Sequence, residues 1–263
     1  MSREKTIIYK EHEIEAIRVA AQASALVLDR IANAVVPGMS TLEVDNLAGV
    51  FIKETGGKSC FLGYNGYPRN ICVSLNNEVV HGIGRADRII QPGDIVSLDV
   101  GVSVGGYCGD NARTVCAGYV PDETTARLLD ATRESMYAGI AAAVEGNRVY
   151  DIGRAVDAVV RKAGFSTVRD MVGHGCGKHM HEPPEVPNYF IRECSNELKA
   201  GMVICIEPMV NVGTWKITMD KKDGWTIRTA DGLPSAHFEN QILITKDKPE
   251  ILTCLKTTTS TSK

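Results

Sequence analysis

Four carboxylates of this chain stand where carboxylates are costly. Asp99 and Asp110 interrupt the run Ile95 to Val115, IVSLDVGVSVGGYCGDNARTV, whose apolar strand and Gly105-Gly106 otherwise read as a β-hairpin. With the turn centred on Val104-Gly105 the two aspartates are directly opposed. With the turn on Gly105-Gly106 they are diagonal neighbours, and in both registers they share a face because side chains alternate with period two. Opposed like charges destabilise a strand pair. A shared proton, an arginine or a divalent cation would relieve them, and the cation suits oxygen ligands best; two solvated aspartates on an outer face are the alternative. Glu207 closes the apolar run Met202-Val-Ile-Cys-Ile-Glu-Pro208, where a carboxylate needs a partner, a proton or a metal. Glu239 opens a strand that turns apolar directly after it, and an edge position explains it equally well.

The histidines add a nitrogen donor. His174 lies in Gly173-His-Gly-Cys-Gly177, where glycines let backbone approach a ligand closely, and His179 and His181 follow. His81 precedes Gly82. Taken singly, each reads as a solvated loop side chain. Together, Asp99, Asp110, Glu207 and Glu239 with His174 cannot share one interior without compensating charge, which two divalent ions would supply. One imidazole among oxygens and no thiolate suits manganese, iron(II) or cobalt, and zinc fits too. Two such ions held ~3.5–4 Å apart activate water and polarise a carbonyl, the chemistry of a dinuclear hydrolase. The spacing leaves the substrate open.

The elements that must position these groups follow from periodicity. Apolar residues from Ile14 to Ala32 recur at helical spacing, so a long helix runs from Glu11 to about Val35 and stops at Pro37-Gly38. Ser40-Thr-Leu-Glu43 is a capping box opening a second helix, which Gly56-Gly57 ends. A Gly-, Tyr- and Asn-rich loop leads to a strand at Ile71 to Leu75. Beyond the hairpin, helices are expected from Pro121 to Val144 and from Tyr150 to Ala163, then strands at Ser166 to Met171, Met202 to Glu207, Gly224 to Arg228 and Ala236 to Thr245. A shift of 108 superimposes Ala34-Val-Val-Pro-Gly38 on Ala142-Ala-Val-Glu-Gly146 and Gly56 on Gly164. Two generic helix pairs can share such spacing by chance; a true repeat would give a pseudo-symmetric α+β fold with helices on one face of an antiparallel sheet.

Composition bounds the rest. At 263 residues, 44% hydrophobic and 23% charged, the chain suffices for one large domain or two small ones. A net charge of -3 with scattered Lys and Arg gives no footprint for nucleic acid. The eight cysteines form no CxxC pair and read as free thiols in a reducing compartment. The N-terminal stretch lacks the apolar core of a signal peptide and no run approaches a membrane span, so the chain is expected in the cytoplasm with no membrane partner. Residues 1-255 are expected to form one catalytic domain, and the Thr/Ser/Lys-rich 256-263 a disordered tail.

The segments Gly63-Tyr-Asn-Gly-Tyr-Pro68, Asn77-Glu-Val-Val-His-Gly82, Ser97-Leu-Asp-Val-Gly101, Gly109-Asp-Asn-Ala-Arg-Thr114, Gly173-His-Gly-Cys-Gly177, His181-Glu-Pro-Pro184, Ile206-Glu-Pro208, Asp223-Gly-Trp225 and Ser235-Ala-His-Phe-Glu239 resemble, in order and spacing, the type I methionine aminopeptidases. The resemblance spans nearly the whole chain. It implies the pita-bread fold, a pseudo-two-fold α+β domain with helices on the outer face of its antiparallel sheet. It implies two divalent metal ions (Co2+, Mn2+, Fe2+ or Zn2+) held by Asp99, Asp110, His174, Glu207 and Glu239, with Asp110 and Glu239 bridging. It also implies Glu207 as base, His181 at the carbonyl oxygen and His81 at the scissile amide.

The methionine pocket would be lined by Phe61, Tyr64, Tyr67, Cys72, Met180 and Trp225. Phe61 and Met180 depart from enterobacterial relatives, where cysteine and phenylalanine are common, which leaves the pocket apolar but alters its shape. The 31 residues between Glu207 and Glu239 leave no space for the helical insertion of type II enzymes, and 263 residues leave no room for the N-terminal domain usual in proline-specific relatives. The substrate implied is the N-terminal methionine of nascent chains, with a small second residue, cleaved by a monomer that makes transient ribosome contact. A non-catalytic pita-bread binding protein and an X-Pro aminopeptidase are the alternatives. Relatives of the former kind typically lose metal ligands, whereas all five are intact here; the aromatic pocket argues against the latter.

Overall fold

The computed structural model describes residues 6–255, and the expected tail at 256–263 lies outside them. Helix α1 (Glu11–Ala34) buries a stripe through Ile14, Ile17, Ala21, Leu28 and Ile31. Helix α2 (Thr41–Glu54) starts on the expected box: Glu43 N–H donates to Ser40 Oγ, and the Glu43 carboxylate accepts from Ser40 N–H. The first half continues with strands β1 (Lys58–Ser59), β2 (Cys72–Leu75), β3 (Glu78–Val80), β4 (Ile95–Val104) and β5 (Tyr107–Cys116). Helix α3 (Glu123–Ala142), capped by Asp122, and α4 (Val149–Lys162) open the second half. Short strands follow: β6 (Ser166–Thr167), β7 (Gly173–Gly175), β8 (Glu182–Val186), β9 (Val203–Ile206), β10 (Met209–Asn211), β11 (Ile217–Met219), β12 (Ile227–Thr229), β13 (Ser235–His237), β14 (Glu239–Leu243) and β15 (Glu250–Ile251).

A nine-stranded antiparallel sheet runs β1-β4-β5-β14-β9-β7-β8, with β2 also on β4 and β15 on β14; β13-β10-β6 and β11-β12-β3 form smaller sheets. The helices cover one face of the large sheet. Val96, Leu98, Val100 and Val102 meet Leu28 and Ile31 of α1 and Val44 of α2 in one core, while Ile204, Ile206 and Ile242 meet Leu128, Ile140 and Val156 of α3 and α4 in another. Gly109 lets α1 lie directly on β5, since a Cβ there would stand 2.3 Å from Ala20 O.

The repeat is present in the backbone. Shifted by 108, α2 maps on α4 and β1 on β6 at both ends. The isolated bridges Ser40 to Ile89 and Arg148 to Glu197 correspond, as do the bonds Gly38 N–H to Ile90 O and Gly146 N–H to Leu198 O.

Three expectations change. The strand expected at Ser166 to Met171 is limited to β6. The strand at Gly224 to Arg228 starts only at Ile227, because Asp223 caps the preceding turn through the N–H groups of Trp225 and Thr226. The run Ala236 to Thr245 is two strands, since the chain changes sheets at Phe238. The hairpin turn is Gly105-Gly106, both at positive φ, so Asp99 pairs with Ala112 and is diagonal to Asp110. All eight cysteines are free thiols. Among the described residues, no helix is long and apolar enough to cross a membrane.

Candidate metal centre

Register alone assembles the site on two same-face rungs of the large sheet, separated by one rung that faces the helices. On the first, Cys72 pairs with Asp99, Asp99 with Ala112, and Ala112 with Glu239. Asn240 pairs with Ile206, so Glu207, one residue beyond, comes to Glu239. On the second, Gly101 pairs with Asp110 and Gln241 with Cys205; Gly175 pairs with Ile204, so His174, one residue before, comes to Cys205. These residues alternate with those packed on the helices, so both rungs point away from them. The small Ala112 leaves space between the carboxylates.

His174 Nε2 lies 3.4 Å from Glu207 Oε1 and 3.7 Å from Asp110 Oδ2. Its Nδ1 is 3.0 Å from Gly175 O; a carbonyl can only accept, so Nδ1 carries the proton and the Nε2 lone pair faces the carboxylates. Burial draws His174 down to about 3, with nearby His181 a smaller cause, which keeps the ring neutral. Burial pushes Asp99 up to about 6. Burial first, then neighbouring carboxylates, pushes Asp110, Glu207 and Glu239 well above the carboxylate range. Asp110 Oδ1 and Glu239 Oε1 are buried and accept no hydrogen bond in the protein. Orphaned carboxylate oxygens facing a neutral, oriented imidazole are the donor set of a divalent cation site, so the residues fit the metal that this chemistry implies.

A cavity of about 500 Å3 opens over this cluster. Asp99, Asp110, His174, Glu207 and Glu239 line it, together with His81 and His181 and with Phe61, Tyr64, Tyr67, Cys72, Met180 and Trp225. The residues singled out in the sequence are therefore brought to one place, except His179, which is exposed and does not line the cavity. Tyr67 meets Trp225 edge-on at 5.1 Å and Phe61 at 6.5 Å. The Tyr67 hydroxyl donates to Gly82 O at 2.9 Å, bracing the turn in which His81 adopts φ 59°, a costly conformation for a residue with a side chain. Burial lowers His81 to about 4. His181 is exposed; its ring lies 4.3 Å from that of His174, and its Nδ1 is 2.8 Å from Tyr64 OH.

Two neighbours escaped sequence reasoning. Cys205 lies with Asp110, His174 and Glu239, all ligand atoms within 4.8 Å of one another, so a thiol does border the cluster. Its signal was its place two residues before Glu207 on the same strand face. His237, 1% exposed, has Nε2 at 3.5 Å from Glu207 Oε2. Its backbone is held by Thr114, whose hydroxyl donates to His237 O and accepts from its N–H.

A model of metallopeptidase family M24 matches residues 15–246. The chain is 44% identical to the methionine aminopeptidase of Clostridium acetobutylicum over 247 residues, 94% of this chain and 98% of that one. It superposes on the crystal structure of methionine aminopeptidase from Rickettsia prowazekii with a TM-score of 0.92 at 36% identity, covering 95% of this chain and 100% of that one. The prolidase from Pyrococcus furiosus shares the fold alone, with a TM-score of 0.77 at 22% identity over 95% of this chain and 66% of that one. The fold common to these structures is the pita-bread arrangement.

Proposed function

The chain belongs to metallopeptidase family M24, and from that premise we propose that it is a methionine aminopeptidase, of type I, that hydrolyses the first peptide bond of chains beginning with methionine and a small second residue. The observation that carries the reading is the gathering of four carboxylates and one imidazole on two same-face rungs with an aromatic-walled cavity directly above them. Two divalent ions, when bound by Asp99, Asp110, His174, Glu207 and Glu239, supply Lewis acidity and an acidified water.

The chain's own groups do the remainder. Phe61, Tyr67, Met180 and Trp225 surround the methionine side chain with soft apolar surface and exclude water from it. Glu207 accepts the proton of the attacking water and carries it toward the departing amine. His181 donates to the carbonyl oxygen as negative charge builds there. His81, neutral because it is buried, hydrogen-bonds the scissile amide. The enzyme is read as a cytoplasmic monomer, with residues 1–255 as one catalytic domain, acting on nascent polypeptides during transient ribosome contact.

A peptide panel tests the specificity. Methionine should be released from Met-Gly-Met and Met-Ala-Ser far faster than from Met-Leu-Ser, and X-Pro peptides lacking methionine should remain uncut. Cleavage of X-Pro with Met-Gly-Met untouched would exchange this reading for the proline-specific one.

A further inference from the structure

The segment before α1 closes on the loop joining β7 to β8. Tyr9 is 7% exposed, and its backbone N–H donates to Gly201 O at 2.9 Å. Its hydroxyl lies 2.8 and 2.6 Å from the two oxygens of Glu182 and accepts from Lys178 N–H at 2.8 Å. Glu182, also 7% exposed, accepts in addition from His179 N–H at 2.7 Å. Gly177 makes room for this arrangement, because a Cβ there would stand 2.4 Å from the Tyr9 ring. Burial and the Glu182 carboxylate hold the phenol protonated, so it remains a donor. One hydroxyl, one carboxylate and two amide N–H groups thus form a closed network between residues 173 apart in sequence.

The network ends beside His181. That side chain is exposed and is held by little of its own: the Tyr64 hydroxyl and an edge contact with His174. Its placement therefore falls to the loop backbone, whose amides at Lys178 and His179 terminate on Tyr9 and Glu182. Glu182 lines the same cavity as His181.

We infer that Tyr9 and Glu182 form a latch from the N-terminal segment that positions His181 against the substrate carbonyl. This rests on the aminopeptidase reading above. Tyr9 and Glu182 are positioning residues; they take no part in bond making.

Tyr9→Phe keeps the ring and removes the latch. In metal-loaded enzyme, kcat for Met-Gly-Met should fall about tenfold with KM within about twofold, because a misplaced donor costs the transition state more than the ground state. Amide exchange at Lys178 and His179 should quicken. In a His181→Ala background the same substitution should change kcat by less than about twofold, since a latch that acts through His181 has nothing left to position. An unchanged kcat in Tyr9→Phe, or the same fold-loss in both backgrounds, overturns the latch. If Tyr9→Phe does not fold by circular dichroism, Glu182→Gln takes its place in the same cycle, with the same losses expected and the same results overturning the latch. Wild-type enzyme that releases no methionine would instead overturn the function on which the latch rests.

Discussion

Asp99, Asp110, Glu207 and Glu239 are a cost to the fold. Four carboxylates buried together are costly to ionise: burial raises the pKa of all four, and neighbouring carboxylates raise Asp110, Glu207 and Glu239 further. The sign can be tested at Asp99 in chelator-treated protein. Its folded value, about 6, lies above the ordinary 3.8. Such a group favours folding while protonated, so its contribution is complete below the unfolded value and is lost as pH rises through the folded one. Asp99→Asn lacks this loss. Denaturation midpoints should therefore move in favour of the variant as pH rises across that window, by roughly 1–3 kcal/mol once complete. Parallel midpoints would show that Asp99 does not titrate on unfolding. Saturating metal should reverse the order, because only the native protein binds it well. The carboxylates were legible in sequence because each interrupts an apolar run. His237 was not: it keeps the alternation, two residues before Glu239 with Phe238 turned to the α3 and α4 core between them, but it belongs to the separate short strand β13 of another sheet, which nothing in the local sequence announces.

At the scale of elements, the hairpin of β4 and β5 carries Asp99 and Asp110 on one face and the contact with α1 on the other. Ser24 Oγ of α1 lies 2.6 Å from Val100 O, to which it donates, and 2.8 Å from Asn111 Oδ1, so the helix is pinned to both strands behind Asp99 and Asp110. Gly109→Ala should force α1 off β5 and destabilise the protein by about 1–3 kcal/mol, read as a thermal midpoint several degrees lower. An unchanged midpoint would mean that the helix is free to shift. The hairpin and the four helices could be read from alternation and caps. β7 and β8 could not. Their sequences, Gly173-His-Gly175 and Glu182-Pro-Pro-Glu-Val186, carry the residues of loops, and they become strands only because Gly175 lets the chains approach to where a Cβ would touch Pro183 O at 2.6 Å. Long-range pairing sets them, and no local propensity announces it.

The whole molecule is two similar halves closed over one sheet. The 108-residue repeat gives each half a helix pair and its own core, and the proposed ligands are divided between them: Asp99 and Asp110 come from the first half, His174, Glu207 and Glu239 from the second. A centre shared this way exists only when both halves are folded and docked, which makes bound metal a report on the assembled molecule. The repeat was visible in sequence as spaced glycines and helix starts, while the rungs that carry the proposed ligands required the pairing of β5 with β14, strands more than 100 residues apart. The most direct measurement is methionine release from Met-Gly-Met by protein stripped with chelator and then titrated with Mn2+ or Co2+, run alongside Glu239→Gln. Release should vanish on stripping, return with added metal, and stay absent in the variant. Release that survives complete stripping, or a fully active Glu239→Gln, would contradict the metal centre built here from Asp99, Asp110, His174, Glu207 and Glu239.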